Sequence, residues 1–156
     1  MSLSKILRSS FLIITACLVL TACATKKVST VGNQIQGDVY IGSDTVEYLA
    51  SGVPDRVFFA TNESILTTRS RDTLRKQAAW LRKNSSINVV IEGHADERGT
   101  REYNLALGER RANAAKDYLM TYGISASRIS VISYGKERPV DSGSNPLAWS
   151  KNRRSV

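Results

Sequence analysis

One stretch of this chain gathers residue types that do chemistry at close spacing. It runs Gly93-His94-Ala95-Asp96-Glu97-Arg98-Gly99-Thr100 and continues Tyr103-Asn104-Leu105-Ala106-Leu107-Gly108-Glu109-Arg110-Arg111-Ala112. A histidine, acids, arginines and an asparagine sit in a glycine-flanked turn that opens directly into a helix. A purely structural strand-to-helix connection has little use for so many charged groups. An arginine fork can hold both oxygens of a carboxylate, and an aspartate suits an ammonium. The chemistry on offer is therefore ionic recognition. His94 beside Asp96 also invites a metal or general-base reading. His94 is the only histidine and no cysteine follows Cys23, so a three-residue metal site would be mostly carboxylate. His94 is read instead as a hydrogen-bonding residue that shapes the turn, and neither metal nor cofactor is expected. No Gly-x-Ser-x-Gly or His-Glu-x-x-His motif is present, so no nucleophile or zinc site is placed by motif and no enzymatic activity is expected.

Helix geometry selects among the arginines. At about 100° per residue, Leu105, Ala112, Ala115 and Leu119 fall between about 20° and 100° from Asn104. Arg111 falls at about −20°, alongside Asn104 and bordering that apolar face, whereas Arg110 lies near −120°, in solvent. Arg111 and Asn104 are thus expected to point into a groove beside the loop that carries Asp96. Two bland alternatives stay open: Asp96 and Arg111 as a plain ion pair closing loop on helix, and Asn104 as a helix N-cap, where Asn is favoured.

The elements that must position these residues read as alternating strands and helices. Arg56-Val57-Phe58-Phe59 is a short buried strand. Leu74, Ala78 and Leu81 recur at helical spacing and predict a helix over 68–83, stopped by Asn84. Ile87 to Ile91 is β-branched and strand-like. A second helix is predicted from about Asn104 to Tyr122, with Gly123-Ile124 as a left-handed C-cap and its apolar contact. Ile129 to Ser133 is a third strand, and a turn-rich loop holding Pro139, Gly143 and Pro146 leads to a basic end. Val39-Tyr40-Ile41 reads as an edge strand ahead of the core. This βαβαβ order predicts an α/β fold, a small mixed sheet with helices on one face.

The N-terminus reads as an export signal. Lys5 and Arg8 precede an apolar stretch from Phe11 to Leu20, too short to span a membrane, which takes ~20 residues. Leu20-Thr21-Ala22-Cys23 has the form of a lipobox, in which the cysteine thiol receives a diacylglycerol and becomes the new N-terminus. Ile14-Thr15-Ala16-Cys17 has the same form, but cleavage there would leave an apolar region below the usual ~7–15 residues. Lipidation is therefore placed on Cys23. Ala24, where inner-membrane lipoproteins tend to carry Asp, favours the outer membrane with the domain facing the periplasm. The expected organisation is a signal peptide at 1–22, a lipidated flexible tether at 23–46 and a domain at 47–156. The formal charge is +8, or +6 once Lys5 and Arg8 leave with the signal. An exported chain without basic runs interleaved with aromatics is not expected to bind nucleic acid. The excess better suits a carboxylate-rich envelope polymer.

From about Arg56 to the C-terminus, these motifs, together with Ser133-Tyr134-Gly135-Lys136 and Asn152-Arg153-Arg154, closely resemble the peptidoglycan-associated lipoprotein branch of the OmpA-like domains. The resemblance implies an OmpA-like two-layer α/β sandwich and noncovalent binding of peptidoglycan through the diamino acid of its stem peptide. In that family, the positions matching Asp96 and Arg111 grip the diamino acid. His94, Asn104, Asn62 and Arg153 are the further candidates for the groove. The resemblance also implies a tether between outer membrane and cell wall within the Tol–Pal system, with TolB the expected protein partner. The alternatives are a cell-wall hydrolase using His94 and Asp96, or an OmpA-like wall-binding lipoprotein outside the Tol system. Two departures matter. Where many relatives place acids in a Phe-Asp-x-Asp pattern, this chain has Phe59-Ala60-Thr61-Asn62, so contacts from that loop must come from backbone N–H groups or the Asn62 amide. The family also runs a few residues beyond the position of Val156, so either the last strand is very short or the sequence is truncated; both readings put the stability of the sheet edge in question and leave the binding chemistry untouched.

Overall fold

A computed structural model describes residues 34–49 and 52–156. The signal peptide, both candidate lipid cysteines and the tether up to residue 33 lie outside the described residues. A two-residue hairpin comes first, β1 (Ile35–Gln36) and β2 (Val39–Tyr40), paired antiparallel. The main sheet and its helices follow in the order β3 (Val57–Phe58), α1 (Thr68–Lys83), β4 (Val89–His94), α2 (Arg101–Thr121), β5 (Ile129–Gly135), α3 (Pro146–Asn152) and β6 (Arg154–Ser155). The sheet order is β3-β6-β4-β5, with β4 and β5 parallel and β6 antiparallel to both its neighbours. This is the expected mixed sheet with α1 and α2 on one face.

The core lies between that face and the helices. Val57, Phe59, Leu74, Ala78, Leu81, Ile91, Ala112, Ala115, Leu119, Ile124 and Ile129 form one buried cluster. Helix α1 occupies the predicted span. Its Thr67 N-cap accepts from the Ser70 N–H, and Asn84 ends it. Arg128 then covers the exposed carbonyls at its C-terminus, donating to Leu81, Asn84 and Ile87 oxygens at 2.7–3.1 Å. Helix α2 ends as read: the Gly123 N–H reaches the Met120 carbonyl and the Ile124 N–H the Leu119 carbonyl, the double bond of a Schellman motif. It approaches β4 backbone to backbone. A Cβ on Gly93 would fall 1.8 Å from the Gly108 carbonyl oxygen, so only two glycines permit this crossing, which fixes the helix start against the strand end.

Several expectations need correction. Val39–Tyr40 is a strand, but it pairs with Ile35–Gln36 and not with the main sheet. The tether does not extend to 46: Tyr40 is fully buried with its ring 4.9 Å from that of Phe58, and Asp38 accepts from the Thr61 N–H at 2.6 Å. Residues 34–46 therefore include a folded segment seated on the domain. Helix α2 starts three residues before Asn104, because Thr100 is its N-cap and accepts from the Tyr103 N–H. The turn-rich segment after β5 contains a helix, α3, capped by Asn145 with Pro146 in its first turn, where proline's missing N–H costs nothing. The last strand is indeed two residues long, yet it is internal, between β3 and β4. Val156 continues it through reciprocal bonds with Glu92 at 2.9 and 3.0 Å.

Candidate functional site: a groove between the β4–α2 loop and the loop after β3

Loop 95–100 is built to present Asp96. Its carboxylate turns back on its own chain, accepting from the Arg98 N–H at 3.1 Å. Lys136 ties the loop from outside through the Glu97 and Gly99 carbonyls at 3.1 and 2.7 Å. The Asn104 amide donates to the Arg98 carbonyl at 2.9 Å. Asn104 is buried one turn inside α2, so it is a brace for the loop and not the N-cap. The groove alongside has a volume of about 230 Å³ and is lined by Thr61, Asn62, Asp96, Arg98, Gly99, Tyr103, Asn104, Leu107 and Arg111. Of the six residues proposed from sequence, it thus brings together Asp96, Arg111, Asn104 and Asn62. Asn62 sits at φ +59°, a left-handed conformation that Asn tolerates better than most residues.

Asp96 and Arg111 do not pair with each other. Arg111 is fully buried rather than bordering the apolar face. It donates to three backbone carbonyls: Glu63 at 2.8 Å, His94 at 2.8 Å and Ala60 at 3.0 Å. Its guanidinium also lies 5.3 Å from the Phe59 ring centre. Burial, then the nearby Arg153 charge, pushes its pKa down to about 10, still far above neutrality. The result is a shielded cation that pairs with no carboxylate among the described residues. A guanidinium carries five N–H donors, so two remain after three are used.

Asp96 is held by other arginines. Arg98 bonds it through Nε at 3.1 Å and Nη2 at 2.6 Å, and Arg153 through Nη1 at 3.2 Å. Burial works against its charge, but these donors outweigh it and keep the carboxyl below its ordinary value. Arg153 is itself 2% exposed. It also donates to the Phe59 carbonyl at 3.1 Å and to the Asp38 carboxylate at 2.9 Å. It lies behind the groove, joining its two loops. Arg98 was not among the residues proposed from sequence. Its guanidinium lies 4.4 Å from the Trp149 ring centre, while the indole N–H donates to Glu97 at 2.8 Å.

His94 departs most from expectation. Its carbonyl receives Arg111, but its ring does not line the groove. The ring is 1% exposed, 5.6 Å from the Tyr134 ring, with Nε2 3.3 Å from a Glu92 oxygen and neither nitrogen in a formed hydrogen bond. Burial first, then the charges of Arg154, Arg56 and Arg138, pushes its pKa down to about 3. Its backbone carbonyl ties the turn to α2 through Arg111, while its ring packs against Tyr134. Among the described residues no group of three or more His, Cys, Asp and Glu is placed to hold a metal.

The sequence pattern of the OmpA family matches residues 58–153. A peptidoglycan-associated lipoprotein of Mesorhizobium japonicum is 45% identical over 145 residues, covering 90% of this chain and 85% of that protein. One of Agrobacterium fabrum is 44% identical over 147 residues, covering 91% and 82%. The crystal structure of the peptidoglycan-associated lipoprotein from Burkholderia pseudomallei superposes with a TM-score of 0.63 at 35% identity, over 64% of this chain and 85% of that one. These relatives form a structural and not an enzymatic family. The chain thus belongs to the OmpA family, in its peptidoglycan-associated lipoprotein branch.

Proposed function

We propose that this envelope lipoprotein tethers the outer membrane to the cell wall, its acyl anchor on Cys23 holding one end and the groove gripping the diamino acid of a peptidoglycan stem peptide. The observation that carries the reading is Arg111, a buried guanidinium hydrogen-bonded only to backbone carbonyls, near the Asp96 charge but not paired with it, and with two donors left. The charges that line the groove, Arg98 and Arg111 against Asp96, sum to +1, and those of Arg153 and Asp38 behind it cancel. An anionic group is therefore attracted, and the shielded fork is the place for a carboxylate.

The ammonium end of the ligand meets a condition. A carboxylate offers about four lone-pair positions, and on Asp96 three are taken by Arg98 and one by Arg153. An incoming ammonium must displace the Arg98 side chain, which is 41% exposed, because Arg153 is enclosed. Trp149 gives Arg98 a surface to rest on.

Co-sedimentation of the purified chain with sacculi tests the tether. Binding without release of soluble fragments supports it, whereas release would favour the hydrolase alternative built on His94 and Asp96. The buried, pocket-remote His94 ring weighs against that alternative. Partnership with TolB in the Tol–Pal system is proposed on family grounds alone. Capture of TolB by the full chain separates it from a wall-binding lipoprotein outside that system.

A further inference from the structure

The site's bonds close into a ring. The Thr61 N–H donates to Asp38 Oδ2 at 2.6 Å, and Asp38 Oδ1 accepts from Arg153 at 2.9 Å. Arg153 bonds Asp96 at 3.2 Å and Asp96 bonds Arg98 at 2.6 Å. Arg98 Nη2 returns to the Thr61 hydroxyl at 3.2 Å. Two carboxylates and two guanidiniums thus alternate around one wall of the groove. One of the four, Asp38, lies in the turn between β1 and β2, ahead of the region matching the OmpA family pattern, which starts at residue 58.

We infer that the β1–β2 hairpin is a working part of the ligand groove, with Asp38 a positioning residue that sets Thr61 and, through Arg153, the Asp96 carboxylate. Three observations carry this. Asp38 fixes Thr61, a groove-lining residue, by its backbone, so the loop after β3 takes its place from the hairpin. Arg153 spans Asp38 and Asp96 with separate nitrogens, and without Asp38 its full charge falls on Asp96. The hairpin is itself anchored, by buried Tyr40 against Phe58 and by Arg69 donating to the Ile41 carbonyl at 3.1 Å. Removing the Asp38 charge would also raise the site sum from +1 to +2, further disfavouring an ammonium beside Asp96. The hairpin is the part of the described residues nearest Cys23 in sequence.

The inference rests on the proposed wall-binding groove, and the test separates the two. The full chain in detergent is titrated with stem peptide bearing a free diamino acid, and with the same peptide amidated at the diamino-acid carboxylate. Asp38→Asn keeps the shape and loses the charge. It should weaken free-peptide binding at least tenfold with an unfolding midpoint within a few degrees of wild type. Asp38→Glu, at a position 49% exposed, should return binding to within threefold, which a purely structural role for the turn does not predict. Wild-type affinity in Asp38→Asn, with discrimination between the peptides intact, overturns this inference and leaves the groove reading standing. Equal binding of both peptides by the wild type overturns the groove reading and this inference with it. Loss in Asp38→Asn without recovery in Asp38→Glu, or together with a collapse of the unfolding midpoint, also overturns it, since the charge is then not what the hairpin supplies.

Discussion

Replacing Arg111 by alanine is the obvious probe of the groove, and the structure says it will report on folding first. Three charge-assisted hydrogen bonds to Ala60, Glu63 and His94 carbonyls disappear together. Hydrogen bonds to charged groups contribute about 1.5–3 kcal/mol each, and a buried carbonyl left unpaired costs in the same range. The loss is therefore roughly 4–9 kcal/mol, against about 5–15 kcal/mol for a whole domain. Arg111→Lys keeps the charge but can satisfy fewer of the three acceptors, and should lose about half as much. Arg110→Ala, exposed and 6.0 Å over the Tyr103 ring, should fall within about 0.5 kcal/mol of wild type. Urea unfolding followed by far-ultraviolet circular dichroism measures all three. With a slope of about 1–3 kcal/mol/M, the midpoint of Arg111→Ala should drop by more than about 1 M. A midpoint within about 0.3 M of wild type would refute the claim that Arg111 joins the β3 and β4 loops.

Other expectations are simpler. Gly93→Ala should cost stability at the top of the range of about 1–3 kcal/mol for overpacking, because the atom it meets at 1.8 Å is backbone of α2; thermal unfolding reads this directly. Burial keeps His94 neutral in the fold down to about pH 3, against an ordinary histidine value of about 6.5, so the unfolded chain takes up a proton first as pH falls. Stability should then decline below about pH 6.5, by about 2 kcal/mol at pH 5 given 1.36 kcal/mol per pH unit. His94→Gln should flatten the dependence between pH 6.5 and 5, above the range where the carboxylates lose their own contribution. Cys23→Ser should abolish acylation and leave an unprocessed precursor, whereas Cys17→Ser should do neither, as intact-mass spectrometry of membrane fractions will show.

What the sequence revealed tracks how local each signal is. Leu74, Ala78 and Leu81 recur within one helix, and α1 was legible. Gly123-Ile124 likewise marked the end of α2. Helix α3 carried a local signal that the proline and glycine content obscured: Asn145-Pro146 is a cap followed by a first-turn proline, not two loop residues. Strand β6 could not be read, since two residues show no period and its place in the sheet depends on β3 and β4. The same division holds at the site. The helical wheel picked out Arg111 over Arg110, because that choice depends on one helix only. It could not show that Arg111 bonds to carbonyls 17 to 51 residues away, which puts it inside the domain rather than at the edge of its core. Asp38 reaches Thr61 and Arg153 across 23 and 115 residues, and no spacing within the chain announces that. Arg98 was within reach, as an Asp-x-Arg turn places its N–H on the aspartate, but its claim on Asp96 depends also on Trp149.

The central claim is that the shielded Arg111 fork receives the carboxylate of the wall's diamino acid. Calorimetric titration of the unaltered chain with stem peptides differing only at that carboxylate tests it without disturbing the fold. The account predicts that the free acid binds and that its amide binds at least tenfold more weakly. Equal affinity for the two would contradict it and reduce the groove to a diffuse basic surface.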